Sequence, residues 1–144
     1  MRHNARELCN GVVDMERRRT FSGVSWESKA GYCRAIRVGN HVHVSGTSPI
    51  DAEGKTFAPG DAYAQTCYCL QRIQKALQDL GSDCRDVVRT RIYVTDISRS
   101  AEYAQAHQEF FGAYPPANTM VEIRALVDPE MLVEVEVEAF CQEE

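Results

Sequence analysis

Residues 131–140, MLVEVEVEAF, carry the pattern that decides the fold. Valine and glutamate alternate along this stretch, in the order Val133, Glu134, Val135, Glu136, Val137 and Glu138. A two-residue period of this kind predicts a β-strand with one apolar face and one polar face. The strand therefore predicts a sheet that is covered on one face, with its glutamates on the open face.

Strands are also predicted before this segment. Residues 86–96 have a two-residue period that places Val88, Thr90, Ile92 and Val94 on one side, and residues 119–126 predict a further strand. Within residues 32–46, two short strands are joined by a tight turn at Gly39-Asn40.

Two helices lie between the strands. Residues 61–81 have a helical period, with Asp61 as the cap and Gly81 as the stop. A second helix begins at a capping Ser98 or Ser100 and ends before Pro115-Pro116. The order ββ-α-β-α-ββ predicts an α+β fold, in which right-handed crossovers place both helices on one face of a mixed sheet.

Composition limits the function classes. The chain has 144 residues, which suits one domain, and its net charge of -5 does not favour binding to nucleic acid. No apolar run approaches the ~20 residues of a membrane helix, and the first residues lack the apolar core of a signal peptide. We therefore expect a cytoplasmic protein without membrane contact, and we interpret its six cysteines as thiols. Residues 1–19 are predicted to be an N-terminal extension to a domain over residues 20–144.

Four segments, taken in order, resemble the RidA/YjgF family, which is also called the enamine/imine deaminase or L-PSP family. They are VSGTSPID (44–51), GDAYAQTCYCLQRIQKALQDLGSDCRDVVRTRIYVTDI (60–97), FFGAYPPANTMVEI (110–123) and LVEVEVEAF (132–140). The resemblance implies a chorismate-mutase-like fold and a homotrimer, with small-molecule clefts between subunits and no metal or organic cofactor. It implies hydrolysis of enamine or imine intermediates, such as 2-aminoacrylate, to 2-keto acids and ammonia.

The resemblance also implies which residues form the cleft. Tyr32, Ser45 and Gly46 match its substrate-binding positions. Glu134 matches its glutamate, as general acid/base, if one extra residue is placed in the VDPE turn, and Glu136 matches it otherwise. Backbone groups from Ala117 to Met120 would hold the substrate.

The turn before residues 119–126 departs from the family pattern. Deaminating members carry an arginine where this chain has Asn118, and a cysteine is usual where it has Met120. Arginine presents a charged planar fork to a carboxylate, whereas asparagine presents an uncharged amide. Asn118 is therefore either a ligand-binding residue or a turn residue that tolerates unusual backbone angles.

The other site residues also have structural interpretations. Glu134 could be a cross-strand partner of Arg91 or Arg124, Tyr32 could pack at a strand start, and Ser45 could bond backbone. Two function hypotheses follow: a RidA-like hydrolase with altered substrate choice, or a non-catalytic small-metabolite-binding or regulatory trimer. A third, the ribonuclease implied by the L-PSP name, is disfavoured by the acidic charge and the lack of a paired-histidine or histidine–lysine set.

Overall fold

The structure, a computed structural model, describes residues 15–142, which form a six-stranded sheet with the strand order β1-β2-β3-β6-β4-β5. The strands are β1 (Arg17–Thr20), β2 (Ala35–Val38), β3 (His41–Thr47), β4 (Val87–Val94), β5 (Ala117–Glu122) and β6 (Val133–Phe140). The helices are α1 (Ser25–Ala30), α2 (Ala62–Asp79) and α3 (Ser100–Phe111). The predicted order is confirmed, with β1 and the short α1 added before it. β1 includes the last three residues of the predicted extension, and most of the remainder of that extension lies outside the described residues.

The sheet is mixed and its core lies on one face. β4 and β5 are parallel, and the other neighbouring strands are antiparallel. The β6 valines are buried in the same apolar cluster as Leu70, Ile73 and Leu77 of α2 and Tyr103 of α3. The β6 glutamates alternate with them and are partly exposed on the opposite face. The predicted α+β fold with two helices on one face is therefore confirmed.

The two long helices begin in different ways. The Asp61 carboxylate accepts a hydrogen bond from the Ala64 N–H, and Gly81 follows α2 at a φ of 76°, so both predicted ends of this helix are confirmed. The predicted caps Ser98 and Ser100 are wrong. Asp96 instead caps a short 3-10 turn that leads directly into α3. Within residues 15–142 no helix has the length and apolar character needed to cross a membrane.

β5 begins and ends earlier than predicted. It starts at Ala117, where the parallel ladder with β4 begins at Arg89, and it therefore includes Asn118. It ends at Glu122, because its partner β4 ends at Val94 and leaves no further edge for pairing.

The predicted placement of Val88 on the core side is wrong. The pairing of β4 with β6 shifts between Val87 and Arg89, so an extra residue is accommodated at the start of β4. Val87 is 4% exposed and occupies the core position, whereas Val88 is 52% exposed.

This bulge can be tested with two matched substitutions. Val87→Ala is expected to lower the free energy of unfolding by about 2 kcal/mol, because it removes buried methyl groups. Val88→Ala is expected to change it by no more than about 0.5 kcal/mol. Urea denaturation of both variants measures the difference, and equal losses would contradict the bulge.

Candidate functional site

The three β6 glutamates differ in their partners on the open face of the sheet. Glu138 forms an ion pair with Arg91 at 3.1 Å, and the Tyr93 hydroxyl donates a hydrogen bond to Glu136. The Glu134 side chain makes no hydrogen bond or ion pair with any residue of the described part of the chain. Its interpretation as a cross-strand partner of an arginine is therefore not supported.

Glu134 packs against a glycine of the neighbouring strand. The pairing of β3 with β6 shifts between Val44 and Thr47, which brings Gly46 beside the Glu134 carboxyl group. A Cβ atom on Gly46 would lie 3.1 Å from both Cδ and Oε2 of Glu134, so a larger residue would displace this carboxyl group. Burial raises the pKa of Glu134, and the positive charge of Arg34 offsets part of that increase.

Glu134 lies in a pocket of about 410 Å³ with mostly apolar walls. Tyr93 is its other polar residue, and the remaining walls are Ile123, Ala125, Leu126 and Val127. The hydrogen bond to Glu136 raises the pKa of Tyr93, so this phenol stays neutral near pH 7. A carboxyl group with a raised pKa in a pocket of this size can act as a general acid or base on a small ligand.

Arg34 was not predicted as a site residue, and it connects this carboxyl group to Tyr32. Arg34 is 4% exposed, and its Nη2 donates to the carbonyl oxygen of Gly46 at 2.9 Å. Its Nε lies 3.9 Å from Oε2 of the buried Glu27, and its Cζ lies 5.7 Å from the centre of the Tyr32 ring. The two-residue pattern around Arg34 does not mark it, because its burial depends on Glu27 in a helix that the pattern does not predict.

Tyr32 and Ser45 line a second pocket on this side, of about 440 Å³. The Ser45 hydroxyl donates to the carbonyl oxygen of Cys33 at 2.8 Å, so this side chain is engaged with the backbone. Tyr32 is 37% exposed beside it. The structure thus brings four predicted site residues together around Arg34: Tyr32, Ser45, Gly46 and Glu134.

The other three predicted residues, Ala117, Asn118 and Met120, lie on β5, about 10 Å from β6 across β4. Asn118 pairs with Thr90, which is buried on the helix-covered face, whereas Glu134 lies on the open face. Met120 packs against the core. A small ligand therefore cannot contact Asn118 and Glu134 of the same chain.

Asn118 is part of a short chain of hydrogen bonds. Its Nδ2 donates to Thr90 Oγ1 at 2.8 Å, and the same oxygen lies 2.8 Å from His107 Nε2. Burial lowers the pKa of His107, which favours the neutral ring. Asn118 lies in a regular strand and has no positive φ, so its interpretation as a turn residue is wrong.

Thiols and metal ligands do not cluster in the described part of the chain. Its five cysteines are free thiols, as predicted, and Cys9 lies outside it. Across residues 15–142, no three histidine, cysteine or acidic side chains are grouped so that they could hold a metal ion.

Comparisons with known proteins agree on one family. The family described as Endoribonuclease L-PSP matches residues 23–141. A RutC family protein from Pyrococcus abyssi is 34% identical over 76% of this chain and 85% of its own length. The 3-aminoacrylate deaminase RutC from Acinetobacter baylyi is 33% identical over 74% of this chain and 83% of its own length.

A solved structure is similar in both sequence and fold. The crystal structure of a YjgF/YER057c/UK114 family member from Mycobacterium tuberculosis has a TM-score of 0.79 and 44% identity, and the match covers 87% of this chain and 99% of that one. The chain therefore belongs to the Endoribonuclease L-PSP family, that is, to the RidA/YjgF family.

Proposed function

We propose that this protein hydrolyses small imine or enamine metabolites, with Glu134 as the general acid/base. The observation that carries the proposal is the Glu134 carboxyl group, which is half-buried in an apolar pocket, has a raised pKa and is not held by a hydrogen bond or ion pair within residues 15–142. A relative named as a 3-aminoacrylate deaminase supports the reaction class.

Proton transfer by Glu134 accounts for each step of the reaction. Protonated Glu134 donates its proton to the imine nitrogen, which makes the imine carbon more electrophilic. The resulting carboxylate accepts a proton from the water that attacks this carbon. Glu134 then passes this proton to the nitrogen of the tetrahedral adduct. As the carbon–nitrogen bond breaks, Glu134 accepts the proton of the adduct's hydroxyl group, so ammonia and a carbonyl compound form and Glu134 is protonated again. For an enamine, Glu134 donates its first proton to carbon instead, which gives the same iminium ion.

We propose that two subunits of a homotrimer complete the site. In one chain, Tyr32, Ser45, Gly46 and Glu134 lie apart from the β5 residues, so a neighbouring subunit would have to supply Asn118 and the backbone groups from Ala117 to Met120. The family resemblance implies clefts of this kind between subunits. The arrangement requires no metal or organic cofactor.

Asn118 is the basis for an altered substrate choice. Its amide donates to Thr90 and carries no charge, so it cannot replace a guanidinium as the partner of a substrate carboxylate. Loss of one charged, partly desolvated contact weakens binding by about 2–5 kcal/mol. We therefore expect a substrate whose carboxylate is absent or is held elsewhere.

The engaged amide of Asn118 also favours a second candidate function, in which the trimer binds a small metabolite without turning it over. The two candidates differ in whether the Glu134 carboxyl group is needed for chemistry or only lines the pocket. An assay of turnover separates them.

Glu134→Gln is expected to lower imine hydrolysis at least about a hundredfold, because glutamine cannot transfer a proton. 2-Iminopropionate is generated by an amino-acid oxidase and trapped with semicarbazide, and hydrolysis is measured as suppression of the trapped product. 3-Aminoacrylate is tested in parallel. Glu136→Gln is the matched control, since Glu136 lies on the same strand face but is bonded to Tyr93.

Two results of this assay would change the assignment. A loss confined to Glu136→Gln would move the catalytic role to that residue. Wild-type protein that suppresses neither product would contradict the hydrolase proposal for these carboxylate substrates, and would leave the binding function or hydrolysis of an uncharged imine.

Glu134→Gln is also expected to stabilise the fold at neutral pH. Because burial raises the pKa of Glu134 above its unfolded value of about 4.3, the folded state binds the proton more tightly. Wild-type stability therefore falls, relative to the variant, as the pH rises from about 4 through the raised pKa. Urea denaturation at several pH values measures this gain, and Glu138→Gln, which removes the ion pair with Arg91, is expected to give none.

Asn118→Arg is expected to raise activity toward 2-iminopropionate at least about tenfold, because it restores a charged partner for the carboxylate. It also removes a hydrogen bond to Thr90, which lowers the free energy of unfolding by about 1 kcal/mol. Asn118→Gln keeps the amide and controls for side-chain length. A folded Asn118→Arg protein without the gain would show that the cleft has diverged beyond this position.

A further inference from the structure

A third pocket, of about 250 Å³, lies between α2 and the segment that follows β1. Tyr68, Arg72, Lys75 and Asp79 line one side of it, and their spacing places them on one face of α2. Arg34 also lines it, and apolar walls come from Phe21, Val24, Ile50, Ala52 and Ala76. This pocket is separate from the Glu134 pocket, with which it shares no lining residue.

Two guanidinium groups meet at this pocket. Arg72 donates from Nη1 to the carbonyl oxygen of Ser48 at 2.6 Å and from Nη2 to Ser22 Oγ at 3.4 Å. Arg34 is only 4% exposed, and its Nε makes no hydrogen bond within the described residues. Burial and then the charge of Arg34 lower the pKa of Arg72, which agrees with two like charges close together in a desolvated place.

The Glu27 carboxylate lies near Arg34 and is linked to Arg72 through Ser22. Glu27 Oε2 lies 3.9 Å from Arg34 Nε, and Ser22, which accepts from Arg72, donates its backbone N–H to Glu27 Oε1 at 2.9 Å. Glu27, Arg34 and Arg72 alone carry a net charge of +1, because two guanidinium groups share one carboxylate. The Lys75 ammonium and the Asp51 and Asp79 carboxylates also line the pocket, so the formal total with Glu27 is three positive and three negative charges. A guanidinium group without a carboxylate of its own is unfavourable when it is removed from water.

The remaining acids of the pocket are already engaged. Asp51 Oδ1 accepts the backbone N–H groups of Glu53 and Lys55, both at 2.9 Å. Asp79 accepts from the Lys75 ammonium at 3.0 Å and from the Thr20 hydroxyl at 3.1 Å. Asp51 and Asp79 therefore have partners of their own, and neither forms an ion pair with Arg34 or Arg72 among the described residues.

We propose that this pocket is a second ligand site, which binds a small organic monoanion through its carboxylate. Two guanidinium groups that share one protein carboxylate can bind a second carboxylate, and guanidinium groups bind carboxylates through paired donors. The apolar walls suit a short aliphatic body. The site does not depend on the proposed hydrolase activity.

Isovalerate is the test ligand, and the neutral isovaleramide of the same shape is its control. Isovalerate is expected to raise the melting temperature of the full-length protein and to shift the backbone amide signals of Ala52 and Ala76 in a nitrogen-15 spectrum. Isovaleramide is expected to do neither. Arg72→Gln is expected to weaken isovalerate binding at least about tenfold, whereas Arg85→Gln, an equal charge change at an exposed residue, is expected to leave it unchanged.

A second variant separates binding from folding. Ala52 lies in an exposed turn at the pocket, so we expect Ala52→Phe to fill the pocket, to keep both arginines and to leave the ligand-free melting temperature unchanged. It is expected to abolish the isovalerate shifts. Binding that survives in Ala52→Phe or Arg72→Gln, shifts confined to Ser45 and Glu134, or no binding at all would each overturn the proposal. Binding of inorganic phosphate in place of isovalerate would overturn the assignment to a monoanionic carboxylate.

Discussion

The register of β6 is the constraint on which the rest of the structure depends. This strand lies between β3 and β4, and a slip of one residue would exchange its three buried valines for glutamates. Burial of three unpaired carboxylates under α2 would be strongly unfavourable, so only one register is compatible with the helices on that face. The same register places Glu134 on the open face, beside the bulge that brings Gly46 against it.

On the open face, Glu136 and Glu138 have polar partners, whereas Glu134 has none within the described residues. Tyr93 donates a hydrogen bond to Glu136, and Arg91 forms an ion pair with Glu138, so both carboxyl groups are fixed. Glu134 lies at the end of the row, where the neighbouring β4 residue is the already bonded Tyr93. The open face is also the face that we propose to lie between subunits of a homotrimer.

Local chemistry in the sequence was sufficient to predict the main elements. The alternation of residues 131–140, the cap and stop of α2 and the turn at Gly39-Asn40 each follow from a few neighbouring residues, and the structure has them where predicted. The errors have non-local causes. The bulge that exposes Val88 depends on pairing with β6, and the start of β5 depends on where β4 offers a free edge. The role of Arg34 was missed because its partners lie in α1 and β3.

Arg34 gives a physical link between the two pockets that we assign to ligands. Its guanidinium contacts Gly46 and Tyr32 on one side and lines the α2 pocket on the other. Its positive charge also holds down the pKa of Glu134, against the effect of burial. An anion bound in the α2 pocket would offset part of this positive charge, and the pKa of Glu134 would then rise further. Occupancy of one pocket would thus change the fraction of Glu134 that is protonated in the other, through a single buried side chain and without a change of fold.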